Sequence, residues 1–179
     1  MTKTSGRSSS QRPDGAATIT LNASLTGLGE LTWTAAVKNN LKQFDVVDLT
    51  YPIAYGIVAG TPQTDTMLIN GNYLVKTPAN FGHFLYYWPT QTYPIMDVFS
   101  EQQGLTLVAH DETLRSTGIS ARGLEREAVE LSLVKIVRLE PGQSFTGAPH
   151  LMRVHQGDWH TTALAERPWI AAHRPTAEP

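Results

Sequence analysis

Alternation of apolar and polar residues with a period of two runs through most of this chain and constrains its fold more than any other feature. The longest example is EAVELSLVKIVRL, whose apolar members on one face are Val129, Leu131, Leu133, Val137 and Leu139. Its polar members on the other face are Glu130, Ser132, Arg138 and Glu140. Since successive side chains of a strand point to opposite sides, the segment is predicted to be a long strand with one face buried against a second sheet.

The same pattern recurs on both sides of that segment. ATITLNASLT and LTWTAAVKN alternate in the same way, and LINGNYLVK places Asn70-Gly71 between apolar pairs, which is a hairpin signal. YPIMDVFS and LTLVAHD flank the short loop EQQG and predict a second strand pair. About eight to ten short strands without an intervening helix favour an all-β antiparallel sandwich over residues 16–156.

Residues 1–15, MTKTSGRSSSQRPDG, are polar and rich in serine. Such a segment buries too little apolar surface to order itself, so we expect a disordered tail. It also lacks the apolar region of a secretory signal, which favours a cytoplasmic location.

Composition excludes several classes of function. The chain has no cysteine, which removes disulfides, thiolate metal sites and cysteine nucleophiles. The net charge is −2 and no basic run occurs, so we expect no nucleic-acid partner. No apolar run reaches the roughly 18 residues of a membrane span, so no membrane partner is expected either.

The hydrophobic period changes near the C-terminus. Asp158 can cap a helix start, and Pro168 should stop or kink that helix, which predicts a short helix over about residues 158–167. Trp159, Ala163, Glu166 and Ile170 are expected to share one face of that helix. Residues 157–179 therefore form a separate unit of helix and tail.

Histidines invite a metal interpretation, but their spacing does not favour one. His150, His155 and His160 recur every five residues, which matches neither a strand nor a helix, so they are interpreted as structural or surface residues. No nucleophile elbow, phosphate loop or dinucleotide fingerprint occurs. We therefore predict no metal, no cofactor and no catalytic residue.

Two pairs of residues are candidates for carbohydrate binding. Tyr87 and Trp88 belong to the aromatic stretch FGHFLYYWP and could stack on a sugar ring, although the same residues could fill the sandwich core. His110 and Asp111 follow the strand TLVA, where a loop could present them to a sugar hydroxyl. Alternatively, His110 faces solvent and Asp111 only starts a polar turn.

Three stretches carry a family resemblance over about residues 19–169: WTAAVKNNLKQFDVVDLTYPIAYGI, YPIMDVFSEQQGLTLVAHDE, and LEPGQSF followed by HQGDWHTTALAERPW. In that order they resemble the N-terminal β-sandwich of poorly characterised glycoside-hydrolase-like proteins. The resemblance implies a galactose-mutarotase-like supersandwich, which a catalytic (β/α)-barrel follows in such proteins.

The resemblance also implies a role for the C-terminal helix. In such proteins the Gly-Asp-Trp helix leads from the sandwich to the barrel, so Trp159 and Trp169 are predicted to face a barrel domain or partner chain. Trp159 should dock on the sandwich, while Trp169, beyond Pro168, should stay exposed. With no barrel in this chain, we expect a non-catalytic carbohydrate-binding or accessory domain, truncated or split from its catalytic barrel.

Two other functions remain open. A free-standing mutarotase-like sugar epimerase would need a base and an acid facing one another across a sugar, for which His83, His110 and Asp97 are the candidates. A protein-interaction module would rest on the aromatic helix alone. Fold analogy carries most of the functional interpretation.

Overall fold

The computed structural model describes residues 4–11, 14–26, 29–69, 73–76, 82–87, 95–112, 117–124 and 128–173. Within those ranges the chain forms thirteen strands, arranged in two antiparallel sheets, and one C-terminal helix. The predicted all-β antiparallel sandwich with a short C-terminal helix is confirmed.

Nine of the strands form the larger sheet. They are β1 (Thr4–Gln11), β2 (Ala17–Leu25), β3 (Glu30–Asn39), β5 (Thr66–Ile69), β6 (Tyr73–Lys76), β8 (Ile95–Phe99), β9 (Gln103–Ala109), β12 (Ser144–Thr146) and β13 (His150–Gln156). Their order is β1-β2-β3-β13-β9-β8-β5-β6, and β12 also pairs with β3. The last strand in the sequence, β13, therefore lies in the middle of the sheet.

The smaller sheet has the order β4-β11-β10-β7. Its strands are β4 (Asp45–Ile57), β7 (His83–Tyr87), β10 (Gly118–Gly123) and β11 (Val129–Leu139). Apolar side chains from both sheets meet between them, among them Met67, Met96, Leu107, Ile119 and Leu133, which are all fully buried. Burial of each such side chain stabilises the fold by roughly 1.5–3 kcal/mol.

Strand β11 has the predicted pattern. Its apolar residues Val129, Leu131, Leu133 and Leu139 are buried and Val137 is half-buried. On the opposite face Arg138 is exposed, whereas Ser132 is buried. The sandwich interior also receives Lys135, which shares the face of the buried leucines and is itself buried.

Both predicted hairpins are present. β5 pairs with β6 in antiparallel register, although the turn residues 70–72 lie outside the described residues. β8 pairs with β9 in the same manner around residues 100–102.

The prediction of a disordered tail over residues 1–15 is wrong for Thr4–Gln11. That segment forms β1, which pairs with β2 along its whole length. Strand pairing uses backbone groups, so an edge strand can form without the apolar side chains that the prediction looked for.

The C-terminal helix, α1 (Trp159–His173), starts as predicted but ends later. Asp158 Oδ1 accepts a hydrogen bond from the His160 backbone N–H at 3.0 Å and caps the helix. The expected stop near residue 167 is wrong, since the helix continues through Pro168. The next residues, Trp169 and Ile170, pack on the sheet, and this packing holds the last turn despite the hydrogen bond that proline removes.

Helix α1 lies on the outer face of the larger sheet, opposite the sandwich core. Trp169 and Ile170 pack against Ile95, Val108 and Leu151. The expectation that Trp169 stays exposed is therefore wrong, because its indole is half-buried. Trp159 is also half-buried and stacks on His160, with 4.0 Å between ring centroids.

The sheet-facing side of α1 also differs from the prediction. Ala163 is exposed, and the side chains that the helix buries are Thr162 and Glu166. The helix thus attaches through polar groups as well as through its aromatic end. Among the residues that the structure describes, no helix combines the length and apolar character needed to cross a membrane.

Candidate functional site

The two adjacent candidates His110 and Asp111 lie on opposite sides of the larger sheet. His110 Nε2 is 2.7 Å from Glu166 Oε2 on α1, and its ring stacks on Trp169 with 4.7 Å between centroids. Asp111 is buried and pairs with Lys135 of β11 at 2.5 Å. Neighbouring residues of an extended chain point in opposite directions, so one contacts the helix and the other enters the core.

Of the two aromatic candidates, the structure places only the backbone of Tyr87. Tyr87 ends β7, where its backbone pairs with Gly118 of β10, and Trp88 lies outside the described residues. Since His110 and Asp111 diverge, the four candidates do not share one face. Carbohydrate binding by these residues stays a prediction.

A helix-docking face, consisting of Asp97, Thr106, His110, Arg153 and His155, holds α1 on the sheet. One half of it centres on Glu166, whose side chain is only 1% exposed. Arg153 Nη1 donates to Glu166 Oε1 at 2.9 Å, and Arg153 Nη2 donates to Glu30 Oε2 at 2.7 Å. Burial of Arg153 opposes its charge, but the hydrogen bonds and charges of the two glutamates outweigh it and raise the pKa of the guanidinium.

The other half of the helix-docking face centres on Asp97, which is fully buried on β8. Its Oδ1 is 3.0 Å from His155 Nε2, and its Oδ2 accepts from the Thr162 hydroxyl at 3.3 Å. Thr162 also hydrogen bonds to Thr106 at 2.6 Å. Burial lowers the affinity of His155 for a proton, but the hydrogen bond to Asp97, the negative charge of Asp97 and a backbone hydrogen bond together outweigh burial and raise the pKa of His155.

An interior polar cluster, consisting of Tyr51, Asp111, Lys135 and His150, lies between the two sheets. The rings of Tyr51 and His150 stack with centroids 4.3 Å apart. Burial lowers the pKa of His150 to about 4, and burial together with the negative charge of Asp111 raises the pKa of Tyr51. All four side chains are buried.

Lys135 and His150 are members of this cluster that sequence reasoning did not assign to a site. A signal for Lys135 exists in the sequence, because the lysine falls in phase with Leu131 and Leu133 on the apolar face of β11. A charge at such a position needs a buried partner, which here is Asp111.

The acid and base candidates of the epimerase alternative do not form one site. His83 lies in the smaller sheet, with its Nε2 3.0 Å from Ser120 Oγ. Asp97 and His110 both lie on the helix-docking face, where Asp97 contacts His155 and His110 contacts Glu166. Glu166 and His110 are an acid and a base in direct contact, so no sugar ring lies between them in this arrangement. Within the described part of the chain, no group of three or more His, Asp or Glu side chains is arranged to hold a metal ion.

Comparison with known proteins gives structural neighbours only. No protein-family model and no curated protein matches the chain. An α-galactosidase from Lactobacillus brevis superposes with a TM-score of 0.65 at 12% identity, covering 94% of this chain and 25% of that one. A GH36 α-galactosidase, AgaB, from Geobacillus stearothermophilus gives a TM-score of 0.57 at 13% identity, covering 79% of this chain and 22% of that one.

A smaller protein is also similar. A galactose mutarotase related enzyme from Lactobacillus acidophilus superposes with a TM-score of 0.59 at 8% identity, covering 86% of this chain and 68% of that one. The chain thus spans about a quarter of the two α-galactosidases and about two thirds of the mutarotase-related enzyme. Its fold is a galactose-mutarotase-like β-sandwich, as the sequence resemblance predicted.

Proposed function

We propose that this chain is a non-catalytic β-sandwich domain of a glycoside-hydrolase-like protein and that α1 connects it to a catalytic barrel. The observation that carries the proposal is the unusual polarity of α1. A helix lying on a sheet normally turns apolar side chains inward and polar side chains outward. In its middle turns α1 departs from this arrangement, since it buries Thr162 and Glu166 and exposes Leu164.

The departure involves both sides of the helix. Toward the sheet it buries Thr162 and Glu166, and only its last turns add Trp169 and Ile170. The exposed residues of α1 are of both kinds: the apolar Ala163, Leu164, Ala165, Pro168, Ala171 and Ala172, and the polar His160, Thr161, Arg167 and His173. Leu164 is 67% exposed. Such a helix is suited to lie between two protein bodies, with an apolar face available to the second.

Attachment through charged groups supports a connecting role. Glu166 contacts Arg153 and His110, and Arg153 in turn contacts Glu30. Buried hydrogen-bonded charges have directional requirements that apolar contacts lack, so they can fix the position of a helix along a sheet. A connector that orients a second domain requires that kind of fixation.

The lengths of the structural neighbours support the same proposal. The chain spans 25% and 22% of the two α-galactosidases. A domain of this relative size leaves most of such a protein to other domains, in agreement with the barrel that the sequence resemblance implies.

The experiment is to read the coding sequence beyond codon 179 and to co-express any chain encoded there with this one. We expect a barrel and a 1:1 complex by size-exclusion chromatography with light scattering. Leu164→Glu should abolish the complex, while Val154→Glu, at a residue 60% exposed on β13, serves as the matched control and should keep it. Absence of a barrel, or a complex that survives Leu164→Glu, would contradict the proposal.

A free-standing sugar epimerase is the second candidate, favoured by the mutarotase-related neighbour of which the chain spans 68%. Polarimetry on freshly dissolved α-D-galactose tests it directly, and we expect no acceleration of mutarotation. Aryl galactosides should likewise not be hydrolysed. Turnover in either assay that Asp97→Asn or Asp111→Asn abolishes would replace the accessory role with an enzymatic one.

A further inference from the structure

Histidine–carboxylate pairs are concentrated at helix α1. Among the described residues there are four such pairs, and each includes a residue of α1, of its start, or of the helix-docking face beneath it. The pairs are His110–Glu166 at 2.7 Å, His155–Asp97 at 3.0 Å, His173–Glu112 at 3.2 Å and His160–Asp158 at 2.9 Å. Histidine is the side chain that ordinarily changes its charge between pH 5 and 8, so the position of these pairs makes the junction sensitive to pH.

Two of the pairs join the helix to the sheet. Glu166 of α1 contacts His110, which directly follows β9, and His173 of α1 contacts Glu112. The indole of Trp169 lies between the two imidazoles, with centroid distances of 4.7 Å to His110 and 4.6 Å to His173. A positive charge over the face of an indole is attracted by the ring. Protonation of His110 therefore strengthens an ion pair and a ring contact that both cross from the sheet to the helix.

A third pair lies beneath the helix. The side chains of His155 and Asp97 are 2% and 0% exposed, and Thr162 of α1 donates to Asp97 Oδ2 at 3.3 Å. Burial of a carboxylate under a docked helix is unfavourable unless a positive charge lies beside it. A protonated His155 supplies that charge. Burial opposes this protonation, but the hydrogen bond to Asp97, the charge of Asp97 and a backbone hydrogen bond outweigh it and raise the pKa of His155.

The charges around Glu166 balance only when His110 is protonated. Arg153 contacts Glu166 at 2.9 Å and Glu30 at 2.7 Å. One arginine charge thus faces two glutamate charges, and a protonated His110 brings these four residues to zero net charge. Because the Glu166 side chain is only 1% exposed, solvent screens an unbalanced charge there weakly.

Other charged groups also act on these histidines. Arg153 opposes protonation of His155, whereas Asp158 favours it. A charge on His150 would repel one on His110, but burial lowers the pKa of His150 to about 4, so His150 is neutral near pH 7. The carboxylates in direct contact therefore set the sign of the pH dependence.

We propose that pH controls the docking of α1: the helix is held on the larger sheet when His110, His155 and His173 are protonated, and it detaches increasingly as they lose their protons. The docked helix holds these protons more tightly than a detached one. Docking is therefore strongest below the ordinary histidine pKa of about 6.5 and weakens as pH rises above it. Below about pH 4, protonation of the carboxylates should weaken docking again.

A single introduced thiol can report detachment, since the chain has no cysteine. Val108→Cys places it under the helix, where Val108 is fully buried and Trp169 and Ile170 pack on it. Val154→Cys, at a residue 60% exposed on β13, is the matched control. The ratio of the two alkylation rates with iodoacetamide cancels the pH dependence of the thiolate itself. We expect this ratio to rise roughly tenfold between pH 6 and pH 8.

Three further variants separate the histidine pairs from other causes. Val98→Cys, in the core between the sheets, reports opening of the whole domain and should not follow the rise at Val108→Cys. His110→Gln keeps a hydrogen-bond donor without the charge, so in the Val108→Cys protein it should raise the ratio at pH 6 roughly threefold and flatten the pH dependence. His160→Gln should leave the pH dependence unchanged, because the pair with Asp158 lies within the start of the helix.

Two results would overturn the proposal, and both come from proteins that keep all their histidines. One is a ratio at Val108→Cys that stays constant or falls between pH 6 and pH 8. The other is an equal rise at Val98→Cys, which would mean that the whole domain opens. Circular dichroism checks that each variant is folded. The proposal concerns only the attachment of α1, so failure to find a barrel leaves it standing.

Discussion

Buried polar groups on the two faces of the larger sheet differ in whether they have hydrogen-bond partners. On the outer face, under α1, both carboxylate oxygens of Asp97 and both of Glu166 have hydrogen-bond partners. On the inner face, the neighbouring Trp33 Nε1 and His150 Nε2 have none among the described residues.

Buried polar groups can therefore have two different consequences, which depend on whether they are paired. A fully paired network fixes an element in place, because breaking any one contact leaves a charge or dipole unsatisfied. An unpaired donor beside an unpaired acceptor leaves capacity for a further group. The outer face is therefore interpreted as an attachment surface, whereas the inner face keeps hydrogen-bonding groups that no described residue uses.

The largest effect is expected at the Asp111–Lys135 pair, which belongs to the inner face but is paired. Asp111→Asn removes the carboxylate that contacts the Lys135 ammonium, and the lysine is only 2% exposed. We expect a loss of about 3 kcal/mol or more in the free energy of unfolding in urea. Glu140→Gln, in the exposed pair with Arg138, is the control and should change stability by less than about 1 kcal/mol. Equal losses of unfolding free energy in the two variants would show that burial of Lys135 does not increase the contribution of its ion pair to stability.

Glu166→Gln tests the outer face. The amide cannot accept from Arg153 and pair with His110 as the carboxylate does, so we expect a loss of about 2 kcal/mol in unfolding free energy. Limited proteolysis should cut α1 earlier in the variant than in the unaltered protein. Unchanged stability and unchanged cleavage would mean that the network does not hold the helix.

Trp33→Phe tests the inner face and should have a smaller effect. The indole N–H has no partner to lose, so the gain from removing it offsets part of the packing lost with the larger ring. We expect the free energy of unfolding to change by no more than about 1 kcal/mol. A loss as large as that of Glu166→Gln would show that Trp33 Nε1 has an unseen partner and would remove the contrast between the faces.

The smallest effect is a dependence on pH. The pKa of His155 is raised in the folded protein, because the hydrogen bond to Asp97, the negative charge of Asp97 and a backbone hydrogen bond together outweigh burial. Its stabilising contribution is therefore complete below its ordinary pKa of about 6.5 and is lost as pH rises through the folded value. Stability measured in urea should fall over that window, and Asp97→Asn should flatten the decline. Parallel pH profiles for both proteins would contradict the assignment.

The strands were predictable because their signal is local. The alternation around Leu131 and Leu133 and the hairpin signal at Asn70-Gly71 depend only on neighbours in the sequence. Strand β1 was not predictable from the sequence, because Thr4–Gln11 carries no apolar stripe. Backbone pairing with β2 holds it in place. The end of α1 was also missed, because Trp169 packs on Val108 and Leu151, which are remote in sequence.

The polar contacts were less accessible to sequence reasoning. His110 could be recognised as a candidate from its place after a strand, but its partner Glu166 lies 56 positions away. Asp97 is likewise paired with His155 and Thr162, which lie 58 and 65 positions away. Partners of this kind follow from the stacking of α1 on the sheet, which no local pattern encodes.

The central place of β13 in the larger sheet has a consequence for how the chain folds during synthesis. β13 pairs with β3 on one side and with β9 on the other, although it is the last strand to be made. Until His150–Gln156 has left the ribosome, the edges of β3 and β9 that β13 covers are unpaired, and exposed strand edges invite pairing with other chains. The larger sheet can therefore be completed only after β13 has been translated, and until then the two unpaired edges are open to pairing with other chains.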